Sequence, residues 1–173
     1  MAFAYYSKLS PARQRVYRES DEIPTLELPA GAQVTAPVAA IRAGLLSEDR
    51  TAVQRACQAL VDVLVDGYDV PPVRVRVLAK RPSDDYGELH GLYEPDDEGT
   101  PARITVWMRT AARKDVVAFK TFLRTLIHEL CHHLDYELYK LPETFHTEGF
   151  YKRESSLVAA LLREESTAGN LLG

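Results

Sequence analysis

Thr125 to Tyr136 reads Thr-Leu-Ile-His-Glu-Leu-Cys-His-His-Leu-Asp-Tyr, with an H-E-x-x-H motif at His128, Glu129 and His132. On a helix a four-residue step turns about 40° and rises about 6 Å, so both imidazoles can reach one ion. Two neutral imidazoles are two of the three protein ligands of a catalytic zinc, whose fourth position is left to water. Glu129, beside the first of them, is the candidate general base for that water's proton. The plainer interpretation is two core histidines and a surface glutamate. Average residue usage puts a chance H-E-x-x-H in about one chain of this length in a hundred or fewer. Helical phase also opposes it: Val116, Phe119, Leu123, Leu126, Ile127, Leu130 and Leu134 form one apolar stripe, with Thr121, Arg124, His128, His132 and Asp135 on the opposite side.

A third ligand is expected from the next element. Phe145 through Leu162 places His146, Phe150, Glu154, Leu157 and Leu161 on one helical face, so a histidine heads an apolar stripe a short loop beyond the motif. His146 is preferred because imidazole is the commoner zinc partner; Glu148 or Glu154 would take its place if that helix were rotated. Asp135, one turn beyond His132, either orients a ligand imidazole or solvates the helix. Tyr136 and Tyr151 are candidate donors to an oxyanion, with packing an equal alternative. His90, alone on a strand, reads as a cross-strand residue before a ligand. Cys131 points about 100° from His132 and Cys57 lies on an apolar stripe, so both read as core packing.

These residues need a scaffold. The 173 residues, 46% hydrophobic, suit one compact domain overall, with 1–50 an N-terminal helical and extended segment that could cover a cleft and 51–173 the catalytic part. Ser10-Pro11 starts a helix to about Glu19, and Asp21 to Pro37 reads as a surface connector. Ser47 caps a helix with the stripe Val53, Cys57, Leu60 and Leu64, which Gly67 stops. Val73, Val75 and Val77 alternate with Arg74 and Arg76 as a half-buried strand; 88–93 and 103–109 are two more, joined through Asp96-Asp97-Glu98-Gly99. Gly91 is a candidate bulge. The motif helix is expected from Lys114 or Asp115 to about Lys140, roughly 40 Å of rod, with Pro142 ending it. The fold class is therefore α+β, a small, mostly antiparallel sheet packed on a metal-binding helix with a closing C-terminal helix.

Composition narrows the partners. A net charge of −4 with no long run of Lys or Arg argues against a dedicated nucleic-acid binder. Two cysteines are too few for a disulfide framework or a cysteine-rich zinc module. No apolar run approaches the ~18 residues of a membrane span, and Met1 to Leu9 has no apolar leader core, so the expected setting is the reducing cytoplasm.

His128-Glu129-x-x-His132 followed by His146-x-x-x-Phe150 resembles the SprT-like zinc metalloproteases, whose pattern is H-E-x-x-H and a distal His-Gly-x-x-Phe-type segment. The resemblance runs from about Val73 to Leu162 and implies a zincin-like fold. It also implies one catalytic zinc on His128, His132 and His146, with Glu129 as the base. Thr147 stands where that family usually has Gly, and no cysteine-rich zinc ribbon follows, so the DNA-linked substrates of some members are not expected here. Thr121 to Thr125 and Phe145 to Leu157 also resemble a group of uncharacterised bacterial proteins. A metzincin would need Gly and His where Asp135 and Leu138 stand, which disfavours that class. The expected activity is zinc-dependent hydrolysis of peptide bonds, by an endopeptidase before an exopeptidase, on a polypeptide held by strand addition at the exposed edge of 103–109. A non-catalytic zinc-binding structural or regulatory module and a metal-dependent hydrolase of a non-peptide substrate are the alternatives.

Overall fold

Ser10 accepts a hydrogen bond from the Arg13 amide and Pro11 takes the first helical position, so α1 (Pro11–Asp21) starts where these two residue types dictate. A computed structural model describes residues 2–80, 83–84, 87–88, 90–111 and 115–172. In it a 3-10 turn, Ala4–Lys8, precedes α1. The connector expected over Asp21 to Pro37 is free of helix and strand from 22 to 34 and gives way three residues early to α2 (Thr35–Leu46), an unexpected helix that buries Val38, Ile41 and Leu45. Pro37 lies in the first turn, where amides have no intrahelical acceptor, so it does not break the helix. Ser47 therefore ends α2, and Asp49, accepting from the Ala52 amide, caps α3 (Arg50–Gly67). Val53, Cys57, Leu60 and Leu64 are all fully buried on α3.

The sheet is mixed, which corrects the mostly antiparallel expectation. Its order is β1 (Val73–Lys80), β5 (Ala102–Arg109), β4 (Gly91–Glu94); β5 runs parallel to β1 and antiparallel to β4. A short separate hairpin, β2 (Ser83–Asp84) with β3 (Gly87–Glu88), lies between β1 and β4 in the chain, so the strand expected over 88–93 divides; Leu89 is outside the described residues. Glu98 and Gly99 both have positive φ and turn the chain between β4 and β5, with Asp97 and Thr100 exchanging backbone hydrogen bonds. β5 is central and nearly all its side chains are buried. The expected free edge on 103–109 is therefore absent. Nor is the outer edge of β1 free: Gln58 bonds the Val73 carbonyl and Val75 amide, Gln54 the Val77 amide, and Arg50 the Val77 carbonyl. Among the described residues, the unpaired edge is that of β4.

The motif helix, α4 (Phe119–Glu137), is shorter than expected, 19 residues and so about 28 Å. Residues 115–117 are extended because their backbone groups are taken by the end of β5: Thr110 bonds Asp115, Val117 bonds Met108, and Arg109 bridges Val116. At the other end Lys140 adopts a left-handed φ of 55°, so the chain has already turned before Pro142. α5 (Glu148–Leu172) starts later and runs longer than expected. The Thr147 hydroxyl accepts from the Phe150 amide as an N-cap, which leaves His146 on the preceding loop. α4 packs on β4, β5 and α5, and one core of α2–α5 and the sheet holds it in place. No helix among the described residues is long and apolar enough to cross a membrane.

Candidate metal centre

α4 turns Phe122, Leu123, Leu126, Ile127, Leu130 and Leu134 into the core, and that same packing aims His128 and His132 the other way, into a cleft of about 680 Å³. The loop before α5 brings His146 over them. Its Nε2 is 3.1 Å from the Nε2 of His128 and 3.1 Å from that of His132. One nitrogen from each of the three rings lies within 4.8 Å of the others, a group able to hold a metal ion. Phe150, fully buried, supports all three rings at centroid distances of 4.8 to 5.3 Å.

The hydrogen bonds outside the triad decide which nitrogens face inward. Glu154 Oε1 is 2.6 Å from His128 Nδ1, and an ionised carboxylate only accepts, so Nδ1 carries the hydrogen and Nε2 its lone pair. Thr144 Oγ1, 2.8 Å from His132 Nδ1, donates its own hydrogen to Asp135 Oδ2, so His132 is held the same way. Bare nitrogens 3.1 Å from a shared His146 nitrogen cannot all be satisfied by the one hydrogen that ring can offer; a cation among them can satisfy all three. Burial, then the neighbouring His128 and His146 rings, push the His132 pKa down to about 3, and burial lowers that of His146. Neutral imidazole is the ligating form.

Glu129 is buried against the same cleft without joining the triad. Burial, with Glu154 nearby, pushes its pKa up to about 7 against the opposing pull of His128. A cation on the triad would draw it back down. β4 crosses so closely that a Cβ on Gly91 would lie 2.8 Å from Glu129 Oε1 and 2.9 Å from Thr125 Cγ2. Gly91 is thus a point of close approach; the bulge reading gave it no such role. His133 faces the sheet: its Nε2 donates to the Pro71 carbonyl and its Nδ1 accepts from Tyr93, tying β4 and the start of β1 to α4.

The other candidates separate cleanly. Glu154 orients His128 and pairs with Arg124 at 2.9 Å. Glu148 pairs with Lys152 at 3.1 Å on the first turn of α5. Asp135 does not solvate the helix; it is fully buried, accepts from Thr144 and Arg153, and meets His132 through Thr144 without touching the imidazole. His90 lies exposed at the rim and outside the triad, and Tyr136 and Tyr151 line the walls. Cys57 and Cys131 are both buried. Residues 2–20 hold the His146 loop, with Tyr5 donating to the His146 carbonyl at 2.7 Å and Ser20 3.2 Å from the Thr147 hydroxyl. Sequence reasoning missed Thr144 and Arg153. Thr144 carries no local signal, whereas Arg153 falls three residues after Phe150 on a core-facing phase, where a cation needs a buried partner.

No protein-family model, no curated protein and no solved structure matches this chain.

Proposed function

We propose that this chain is a zinc metallopeptidase with a zincin-like, SprT-like arrangement. The observation that carries this reading is the gathering of the His128, His132 and His146 nitrogens beside the Glu129 carboxylate in one open cleft. Zn–N bonds of about 2.0–2.1 Å at tetrahedral angles separate nitrogens by roughly 3.3 Å, close to the two 3.1 Å spacings here. Bound there, zinc would supply a Lewis acid that activates water and polarises a carbonyl. The three imidazoles hold it and Glu154 and Thr144 fix their orientation. Glu129 accepts a proton from the attacking water and returns it to the leaving amine. An extended polypeptide pairs its backbone with the free edge of β4, which replaces the strand 103–109 edge as the place for strand addition. Tyr151, its ring 5.7 Å from that of His146, is the better placed phenol for a developing oxyanion; Tyr136 stacks on Tyr93.

The walls bear on the substrate. Among the described residues four large apolar side chains are exposed; of these Leu92 and Tyr151 line the cleft and Phe3 packs edge-on to Tyr151. The guanidinium of Arg124 in the same cleft is paired with Glu154, so apolar burial is the dominant selective term. Incubating the zinc-loaded protein with a denatured protein mixture should give chelator-sensitive new termini flanked by bulky apolar residues, read by mass spectrometry. A full set of intact substrates would defeat the peptidase reading.

Gly91→Ala offers a separate check. The added methyl must push the Glu129 carboxylate aside and also crowds Thr125, whose hydroxyl is held on the Thr121 carbonyl, so some stability should be lost while the histidines, and with them zinc content, are untouched. Hydrolysis should fall by about 10- to 100-fold, the scale of a misplaced catalytic group. An unchanged rate would show that β4 does not position Glu129.

A further inference from the structure

A continuous run of buried and part-buried hydrogen bonds leads from the end of α1 to one of the triad rings. Arg153 lies at the centre and is 1% exposed. Its Nη1 donates to the carbonyls of Ser20 and Ile23 at 2.6 and 2.7 Å, and its Nη2 to the Ser20 hydroxyl at 3.0 Å and Asp135 Oδ1 at 2.9 Å. The other Asp135 oxygen accepts from Thr144, whose oxygen faces His132 Nδ1; both distances are 2.8 Å. Between Arg153 and His132 every hydrogen has one available direction. The guanidinium only donates and the carboxylate only accepts, so the single Thr144 hydrogen goes to Asp135 and the Thr144 oxygen is left to accept from His132.

We propose that Thr144 is a positioning residue for the metal, fixing His132 in the tautomer that presents Nε2 to the ion. The inference rests on the three histidines holding a metal and is independent of the reaction that follows. Thr144 touches no reacting atom. Its effect passes through His132, and through Asp135 and Arg153 it makes the ring's orientation depend on where α1 meets α5. Outer hydrogen bonds of this type set ligand orientation and basicity, and their loss typically weakens metal binding by about 10- to 100-fold.

Two measurements test it. Long-range ¹⁵N–¹H correlation spectra of the metal-free wild-type chain should show His132 with its hydrogen on Nδ1. Zinc titration should show Thr144→Val weaker than wild type by about 10- to 100-fold and Thr144→Ser within about threefold of wild type. A merely structural role would lower thermal stability in both variants and leave the zinc affinity of the folded protein unchanged. Hydrogen on Nε2 in the wild type, or wild-type zinc affinity in Thr144→Val, would overturn the proposal. The spectrum needs no variant to fold. If the wild type took up no zinc, the metal reading would fail with it, whereas zinc uptake without peptide cleavage would remove the peptidase reading and leave Thr144 in its role.

Discussion

Glu129→Gln is expected to keep zinc stoichiometry and thermal stability near wild type while hydrolysis falls by about 10²-fold or more, the scale of general-base catalysis. The substitution preserves the shape of a side chain buried under β4, so the close approach of Gly91 is undisturbed. It removes only the ability to take a proton. Because Glu129 stands outside the histidine triad, metal content should not follow activity. Paired zinc analysis and initial rates on a substrate found by the terminus screen decide the matter. A Glu129→Gln protein that cleaves at the wild-type rate would remove Glu129 from the mechanism.

His146→Ala should act in the opposite way, losing the metal first. Removing one of three ligands leaves His128 and His132 alone on α4, and zinc should fall from about one ion per chain to near none after dialysis against a weak chelator. Glu148→Ala should retain its zinc, since that carboxylate is engaged with Lys152. Glu154→Ala should fall between them, about 10- to 100-fold weaker, because it frees the His128 ring without deleting a ligand. Thermal melts give an independent reading. A metal at 100 times its Kd adds about 2.7 kcal/mol of stability, so added zinc should raise the wild-type Tm and leave that of His146→Ala unmoved. Full zinc loading of His146→Ala, with loss in Glu148→Ala, would transfer the third position to the glutamate.

What the sequence made legible was whatever depends on near neighbours. The apolar stripe of α4, the buried stripe of α3 and the Ser10-Pro11 start are each set within a few residues, and periodicity alone places His128 and His132 on one face. The third histidine was found on a mistaken premise. It was read as part of a helix, yet Thr147 caps that helix and His146 reaches the triad because it is outside the regular hydrogen bonding. Partners distant in sequence were opaque: Ser20 with Arg153, Gln58 with Val75, Gly91 against Glu129. α2 was hidden for a different reason, since a proline reads as a breaker unless its position in the first turn is already known. The parallel ladder was hidden because strand alternation specifies a face and carries no information on which neighbour a strand will choose.

The side chains of Arg50, Gln54 and Gln58 give the sheet a handed economy of access. Helix α3 imitates a fourth strand, meeting the Val73, Val75 and Val77 backbone with side-chain groups where a strand would bring peptide groups. An incoming chain finds that flank already answered. The flank that remains open among the described residues belongs to β4, and it borders the cleft. On the proposed function, recruitment and exposure to the histidines would be one event, because among the described residues the margin at which this sheet can be extended is also the border of the histidine cleft.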